Sequence, residues 1–426
     1  MSKKISVGLA AFLILLAAAI TFELTVVFGK VFFRTAAVGE VPASYTEAAS
    51  DAPEEPEEKS FTDEVMERVT EKVGKIVSYY ENYYVGGELN IDDFVDGACA
   101  GVVAYSGDKY GAYHDVSDME ELSASYAGEF TGIGVSVVYN PTLGALEILN
   151  VMPNSPAADV ELSAGDCIVG VDGEDILDLG YAESVNRIHG AENTDVTLRI
   201  ARGETSEITE VTLTRRRVEE LSVDYEALNV PGISAPLAYI RLMDFNDKTP
   251  EQFVAALQQS NADRVRGVIV DVRDNGGGEL ESILSILDAL LPEGPIVRIQ
   301  YKNGEEETYT SDKTCYERPI IVLCNARTAS AAELFVSALK DYNKAVVIGT
   351  TTYGKGTVQS IVSLGDGSAL RISTAMYLPP FSDNYEGIGI TPDIEVEIDE
   401  EYRYTNLYKI PHDQDAQLQA AIAQYK

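Results

Sequence analysis

The stretch Ile320-Ile-Val-Leu-Cys-Asn-Ala-Arg-Thr-Ala-Ser-Ala-Ala-Glu333 joins five apolar residues to a short polar turn and the start of a helical pattern. Short apolar runs of this kind are typical of strands buried in a parallel sheet. Further runs lie at residues 268–272 and 346–348, and amphipathic segments occupy residues 280–291 and 331–339. The alternation of strands and helices predicts an α/β core.

Ser330 lies where the strand of this stretch passes into its helix. The free N–H groups and the positive dipole end of a helix face such a position, and they can stabilise a developing oxyanion. A serine becomes a nucleophile when a neighbouring base takes its proton. On this segment alone an N-cap serine is the commoner explanation, so the interpretation depends on a base elsewhere in the chain.

Lys355 is the candidate base. It lies between two glycines in Thr352-Tyr-Gly-Lys-Gly-Thr-Val-Gln359, before a strand-like segment that can turn its side chain inward. A lysine base must be neutral, so its pKa must fall from about 10.4 toward about 7–8 through desolvation. Gln359 could accept a hydrogen bond from the amine and orient it. The alternative for Lys355 is a solvated lysine in a turn.

Three blocks of the sequence resemble the signature blocks of one protease family. They are Asp271-Val-Arg-Asp-Asn-Gly-Gly-Gly278, Thr328-Ala-Ser-Ala-Ala-Glu333 and the stretch around Lys355. The family is that of the carboxyl-terminal processing proteases, the tail-specific, PDZ-containing serine peptidases of the S41 class. Glu129-Phe-Thr-Gly-Ile-Gly-Val135 and Gly165-Asp-Cys-Ile-Val-Gly-Val-Asp-Gly173 resemble its PDZ domain. The similarity runs from about Phe61 to the C-terminus, with the blocks in family order.

The resemblance implies a role for each matching residue. Ser330 would be the nucleophile and Lys355 its general base, with Gln359 orienting the lysine. The oxyanion hole would consist of the backbone N–H groups of Ala331 and Gly277. The implied activity is that of a serine endopeptidase that cuts proteins near their C-termini through an acyl-enzyme. No metal and no cofactor is implied.

Other residues of these blocks are expected to support the site. Asp271 and Arg273 would hold their loop rather than touch substrate. Glu333 matches an acidic family position, although an acid in the first turn of a helix explains it equally well. Gly276 stands where the family often has proline, which loosens the loop but removes no catalytic group.

The PDZ resemblance implies the substrate class. Gly132, Ile133 and Gly134 would present backbone N–H groups to the C-terminal carboxylate of a peptide, and the neighbouring strand would pair with it. Substrates would then be proteins with apolar C-terminal tails. His189 stands where relatives often carry an arginine linked to PDZ gating. A protonated histidine could replace that arginine; an ordinary surface histidine is the alternative.

The resemblance also implies the architecture. The expected fold is an α/β protease core of the crotonase/ClpP-like kind with an inserted β-rich PDZ domain. The expected regions are an anchor at residues 1–35, an acidic disordered linker at 36–60, a helical region at 61–128, the PDZ domain at 129–216, the protease core at 217–398 and a C-terminal tail with a helix at 399–426.

The N-terminus carries a candidate membrane anchor. Lys3 and Lys4 precede an apolar run over residues 5–28, interrupted by Thr21 and Glu23. The run is near the length of about 20 residues that spans a bilayer, and the lysines favour a cytoplasmic N-terminus. We therefore expect a single-pass protein of the cell membrane with an extracytoplasmic catalytic domain. Cleavage near Ala36 is the alternative.

Composition excludes several classes of function. The chain has 69 acidic and 32 basic residues and a net charge of −37, which argues against nucleic acid as a partner because phosphate binding needs clustered Lys and Arg. Four scattered cysteines and three histidines predict no zinc site. Buried thiols are the expected state, with a Cys315–Cys324 bridge as the alternative. A homodimer or a separate adaptor is left open.

Three rival functions fit the sequence less well than the protease does. A catalytically silent PDZ scaffold is disfavoured by the intact Ser330, Lys355 and Gln359. A trypsin-like PDZ protease would need a Gly-Asn-Ser-Gly-Gly-Pro block, which the sequence lacks. A crotonase-like acyl-CoA enzyme would share the core fold, but the PDZ segment and the N-terminal run argue against it.

Overall fold

The structure is a computed structural model. It describes residues 60–140, 143–202, 207–402 and 405–426. The expected anchor and all but the last residue of the expected linker lie outside the described residues. Among the described residues, none of the helices combines the length and the apolar character that a membrane span requires.

The described residues before Asn90, 60–89, belong to a unit separate from the rest of the chain. Its described part carries helix α1 (Phe61–Tyr83), which begins after an N-cap at Ser60, whose hydroxyl accepts the Asp63 N–H at 3.1 Å. No residue of α1 is buried. The apolar spacing that predicts this helix therefore does not place its side chains in a core within the described residues.

A second unit runs from Asn90 to Lys426. It begins with α2 (Ile91–Ala104), β1 (Ala112–His114) and α3 (Val116–Tyr126). Asp115 caps α3 in a capping box with Asp118, which satisfies two of the free N–H groups at the start of the helix.

A β-rich domain follows. Its elements are β2 (Glu129–Gly132), β3 (Val135–Asn140), β4 (Ala145–Val151), α4 (Pro156–Asp159), β5 (Cys167–Val171), β6 (Glu174–Asp175), α5 (Ile176–Ile188), β7 (Asp195–Arg202), β8 (Glu207–Thr214) and β9 (Arg216–Glu219). An antiparallel sheet of order β3-β4-β5-β7-β8, with β6 paired to β5, surrounds a core that includes the fully buried Leu146, Ile168 and Leu198. Strand β3 is an edge strand of this sheet.

The chain enters and leaves this domain through one short ribbon. Strands β2 and β9 pair antiparallel, with Glu129 opposite Glu219 and Gly132 opposite Arg216. Just outside the ribbon, the Glu220 N–H donates to the Gly128 carbonyl at 2.8 Å. The two connections to the rest of the unit therefore lie side by side.

The remaining chain builds the α/β core. Its elements are β10 (Val223–Leu228), β11 (Leu237–Leu242), α6 (Thr249–Ala262), β12 (Val268–Asp271), α7 (Leu280–Leu290), β13 (Gly294–Tyr301), β14 (Glu306–Ser311), β15 (Ile320–Cys324), α8 (Ala331–Asp341), β16 (Ala345–Gly349), β17 (Thr357–Ser363), β18 (Ala369–Leu378), β19 (Ile394–Glu395), two 3-10 turns (Glu400–Tyr402 and Leu407–Lys409) and α9 (Ala416–Ala423).

One sheet has the order β10-β11-β12-β15-β16-β19 and is parallel except for the β10–β11 pair. Val270 and Val322 face the core formed with α7 and α8, whereas Ile269 and Ile321 face the core formed with α9. Because successive residues of a strand point to opposite faces and both faces are covered, the strands read as continuous apolar runs.

A second, antiparallel sheet has the order β1-β18-β13-β14, with β17 also paired to β18. The sequence predicts only its strand-like segment after Lys355. Strand β1, from the region expected to be helical, pairs with β18 so that Ala112 lies opposite Arg371. This sheet positions the candidate base, because β17 begins two residues after Lys355.

Candidate active site

Ser330 occupies a sharp turn between β15 and α8. Its φ is 56° and its ψ is −122°, a backbone conformation that costs free energy in a residue other than glycine and is common at functional sites. Ser330 is the N-cap of α8 and takes part in a capping box with Glu333, whose carboxylate accepts the Ser330 N–H at 3.0 Å. The N-cap interpretation of Ser330 therefore agrees with the structure, and it does not exclude a catalytic role for the hydroxyl.

Glu333 connects Ser330 to the segment that carries Lys355. The Glu333 side chain is completely buried. One carboxylate oxygen, Oε2, accepts the N–H groups of both Ser330, at 3.0 Å, and Lys355, at 2.7 Å. The other, Oε1, accepts the Gly354 N–H at 2.6 Å and the Thr352 hydroxyl at 2.5 Å. The carboxylate therefore holds the two segments within two hydrogen-bond lengths of each other.

The glycines beside Lys355 are required by close backbone approach. Gly354 has a φ of +87°, and a Cβ there would lie 2.9 Å from the backbone nitrogen of Gly389. A Cβ on Gly356 would lie 2.6 Å from the Asn384 side chain. A larger residue at either position would displace the turn, so the sequence pattern reflects packing.

The Lys355 amine lies 4.9 Å from the centre of the Tyr110 ring. Partial burial lowers the pKa of Lys355, and the nearby Arg371 lowers it further, whereas Glu386 and Glu333 oppose the change. The lowered pKa is in the direction that a general base requires. The explanation of Lys355 as a fully solvated turn lysine does not fit this setting.

The functional atoms of the predicted dyad are not joined in this conformation. Within the described residues, no hydrogen bond links the Ser330 hydroxyl to the Lys355 amine. Gln359 donates its amide to the carbonyl of Thr357 at 3.0 Å and to its hydroxyl at 2.9 Å, and no hydrogen bond joins this described side chain to Lys355. The structure thus brings the backbones together but leaves the Gln359 amide turned to Thr357.

The two predicted oxyanion donors differ in their availability. Gly277 has a φ of +107°, and a Cβ there would lie 2.8 Å from the Ser330 Cβ and 3.1 Å from the Ala331 nitrogen. Its N–H donates to the Asn275 side chain at 2.8 Å. Ala331 is the first residue of α8, where N–H groups have no acceptor within the helix. The Ala331 N–H therefore has no acceptor within its helix, whereas the Gly277 N–H is paired with Asn275.

Asp271 and Arg273 hold their loop, in agreement with the interpretation of the sequence. Both are buried, and Arg273 bonds Asp271 at 2.6 Å and Asp415 at 2.8 Å. Although burial raises the pKa of Asp271, the Arg273 guanidinium brings it below its ordinary value. Asp415 also caps α9 by accepting the Gln417 and Leu418 N–H groups. The C-terminal helix is thus tied to the loop that leads to Gly277.

The Gly132, Ile133 and Gly134 turn connects β2 to the edge strand β3. Its carbonyls are used internally: Ile133 accepts the Ala157 N–H and Gly134 accepts the Met152 N–H, each at 2.9 Å. Ile133 is buried in the domain core. The turn is therefore fixed beside a strand that has a free edge, the arrangement that strand addition by a peptide needs.

His189 follows the end of α5 and stacks on Phe130, with ring centres 5.8 Å apart and an interplanar angle of 21°. Partial shielding from water lowers the pKa of His189; Glu121 opposes this effect and Arg215 adds to it. The histidine is therefore less readily protonated than a free one. Arg215 itself is buried and donates to the Ile188 carbonyl at 3.0 Å.

Four described residues bear on the site although no pattern in the sequence assigns them a role. Tyr110 contacts the candidate base, Asn275 accepts the N–H of the candidate oxyanion donor Gly277, and Asp415 bonds Arg273. Thr352 lies in the quoted block, but its bond to Glu333 does not follow from spacing. All four cysteines are free, so the alternative of a Cys315–Cys324 bridge is wrong.

Comparisons with known proteins agree on one family. The model of peptidase family S41 matches residues 236–396, and a PDZ domain model matches residues 147–202. A carboxy-terminal-processing protease of Bartonella bacilliformis is 34% identical over 298 residues, which cover 68% of this chain and 67% of that protein. A carboxyl-terminal-processing protease of Synechocystis is 33% identical over 302 residues, 71% of this chain and 70% of that protein.

A likeness of fold accompanies the likeness of sequence. A solved structure assigned to an S41 protease of Bacteroides fragilis covers 83% of this chain and 96% of its own, with a TM-score of 0.54 and 16% identity. At this identity the comparison concerns the fold alone.

Proposed function

Because the chain belongs to the carboxy-terminal processing proteases of peptidase family S41, we propose that it is a serine endopeptidase with a Ser330–Lys355 dyad. It cuts proteins near their C-termini. The observation that carries the proposal is the single Glu333 oxygen that accepts the N–H groups of both dyad residues. This shared acceptor fixes the spacing of a nucleophile and a base that lie far apart in the sequence.

In the first chemical step the neutral Lys355 amine accepts the proton of the Ser330 hydroxyl as Oγ bonds to the carbonyl carbon of the scissile peptide. The carbonyl π electrons move to its oxygen, which the N–H groups of Ala331 and Gly277 stabilise. When the C–N bond breaks, the leaving amine takes the proton from the Lys355 ammonium. Water then attacks the acyl-enzyme, with Lys355 again acting as base, and Ser330 is regenerated.

The proposal includes a local rearrangement when substrate binds. Gly277 must release its N–H from Asn275 to serve the oxyanion, and Gln359 must turn its amide away from Thr357 to reach Lys355. Both movements need only side-chain and loop adjustments. Rearrangement of this size is common, since catalytic hydrogen bonds of enzymes often tighten only in the substrate complex.

The PDZ domain is proposed to select the substrate tail. Strand β3 has a free edge beside the Gly132, Ile133 and Gly134 turn, so an extended C-terminal tail can add as a strand while its carboxylate meets backbone N–H groups. Apolar tails suit a partner chain of net charge −37, since acidic tails would be repelled.

We also propose that the apolar run at residues 5–28 anchors the chain in the cell membrane, with the catalytic domain outside the cytoplasm. Lys3 and Lys4 before the run support this orientation. Membrane fractionation, followed by digestion of intact spheroplasts with an added protease, tests it. Recovery of the chain in the soluble fraction, or protection of its catalytic domain, would contradict the proposal.

The dyad is tested with the full chain and an unfolded protein that ends in an apolar tail. We expect cleavage near the C-terminus, detected by intact-mass spectrometry, and its loss in Ser330→Ala and Lys355→Ala. Lys302→Ala, which changes an exposed lysine between β13 and β14, is the matched control. Cleavage that survives Lys355→Ala at neutral pH would refute the dyad, and tail binding without cleavage by the parent chain would favour the silent scaffold.

A further inference from the structure

The segment between α2 and β1, residues 106–111, lies against the candidate base; we call it the strap. Asp108 attaches the strap to β18 by accepting the Ser373 N–H at 2.7 Å and the Ser373 hydroxyl at 2.8 Å. Arg371 donates to the Tyr110 carbonyl at 3.2 Å. The strap lines a cleft of ≈ 530 Å³, so it is held by these few polar bonds beside open space.

Hydrogen bonds through Glu386 fix the position of Tyr110 relative to Lys355. Its hydroxyl donates to one oxygen of Glu386 at 3.2 Å, while the other oxygen of Glu386 accepts the Gly356 N–H at 2.7 Å. The Lys355 amine lies 4.9 Å from the centre of the Tyr110 ring, and the Lys109 amine lies at the same distance. Glu386 thus joins the Tyr110 ring to Gly356, the residue that follows the candidate base.

The face of an aromatic ring attracts a cation and gives no such attraction to a neutral amine. The ring therefore favours the protonated form of Lys355, the form that cannot accept the Ser330 proton. Arg371 acts in the opposite sense, whereas Glu386 and Glu333 act with the ring. In this conformation the contact opposes the activation of the base.

We infer that Tyr110 is a positioning residue that holds the Lys355 ammonium on its ring and keeps the dyad disengaged until the strap moves. The inference rests on the proposed function of Lys355 as base. It adds a residue about 245 positions earlier in the chain to the control of the reaction, and it explains why no hydrogen bond joins Ser330 and Lys355 within the described residues. Substrate entering beside β18 would release the amine by displacing the strap.

The test measures the titration of the Lys355 amine directly, in the full chain carrying Ser330→Ala. The extent of acetylation of Lys355 by acetic anhydride is followed against pH by peptide mass spectrometry. We expect Tyr110→Leu to lower the titration midpoint by about one pH unit, the size of a partly desolvated cation–π contact. Tyr110→Phe keeps the ring but loses the bond to Glu386, so it should lower the midpoint by less than Tyr110→Leu. Tyr113→Leu, which changes a tyrosine bonded to Asp96, should leave the midpoint unchanged.

The direction in which the titration midpoint moves distinguishes this role from simple shielding of Lys355 from water. If the ring only shielded Lys355 from water, its removal would raise the midpoint toward the ordinary value of lysine. A midpoint that stays or rises in Tyr110→Leu therefore overturns the inference. If that variant does not fold, Asp108→Asn, which weakens the attachment to Ser373, takes its place with the same expected sign and the same overturning result.

A kinetic measurement completes the test in the chain with Ser330 intact. Below the titration midpoint, kcat/KM should rise about tenfold in Tyr110→Leu, because the neutral fraction of Lys355 rises tenfold for each unit that the midpoint falls. A lowered midpoint with no gain in kcat/KM would overturn the gating role. Failure of the dyad is recognised separately, as cleavage that survives Lys355→Ala, and it leaves the labelling result unaffected.

Discussion

Replacing Glu333 by glutamine tests whether one buried carboxylate holds the two catalytic segments together. The change preserves the shape of the side chain but turns one acceptor oxygen into an NH2 donor. In the parent chain Oε2 accepts the Ser330 and Lys355 N–H groups, and Oε1 accepts the Gly354 N–H and the Thr352 hydroxyl. Whichever way the amide turns, two donors lose their acceptor and face another donor.

A buried donor without an acceptor costs about 1–3 kcal/mol, so two such donors cost about 2–6 kcal/mol. We expect the free energy of unfolding of Glu333→Gln, measured in urea, to fall by at least about 2 kcal/mol. Because either orientation of the amide removes at least one backbone bond that ties the Lys355 segment to residue 333, we also expect kcat to fall about 100-fold, the loss that follows a misplacement near 1 Å. KM should change little.

Glu281→Gln is the matched control, since Glu281 is an exposed acid in the first turn of α7. It measures the contribution of an acid at a helix N-terminus, about 0.3–1 kcal/mol. If Glu333→Gln lost no more stability and no more kcat than Glu281→Gln, Glu333 would be an ordinary first-turn acid and the reasoning would be refuted.

Three further changes have defined outcomes. Gly277→Ala places a methyl group 2.8 Å from the Ser330 Cβ at a positive φ and should lower kcat about 100-fold. Gly304→Ala, the control, also has a positive φ but open space around it, and it should leave kcat unchanged. Equal effects of the two substitutions on kcat would contradict the packing argument. The pKa of Lys355 is lowered and the base acts when neutral, so kcat/KM should fall as pH decreases, with a midpoint below about 10.4; a midpoint at or above that value in a pH–rate profile would oppose this. Asp415→Asn removes the charge of one of the two carboxylates that bond the buried Arg273 and should lower the free energy of unfolding in urea by about 1.5–3 kcal/mol, the contribution of hydrogen bonds to a charged group. A loss below about 1 kcal/mol, as at an exposed ion pair, would contradict it.

The central elements could be predicted because their signals are local. The apolar run at Ile320–Cys324 and the turn after it determine where β15 ends and where Ser330 lies. The glycines on both sides of Lys355 indicate a tight turn, and the structure explains them by backbone contacts. Each of these features is decided by residues that are neighbours in the sequence.

The rest depended on partners that no local pattern connects. Strand β1 joins β18 across about 250 residues of sequence and brings Tyr110 to the base. Gly277 donates to Asn275, and Gln359 donates to Thr357. Each has several polar neighbours in the sequence, and only the folded chain determines which of them forms the hydrogen bond. Glu333 carries two signals at one position, a helix start and a tie between segments, and only the contacts of its carboxylate distinguish them.

The ribbon formed by β2 and β9 has a consequence for how the molecule can change over evolution. Its two strands bring Glu129 and Glu219 opposite each other, so the 91-residue domain between them can be exchanged as a cassette through two adjacent splice points. Under the proposed function, the bond-breaking chemistry and the choice of substrate would then be inherited separately. A lineage could then acquire new substrates by replacing this domain, while the α/β core on the other side of the ribbon is inherited unchanged.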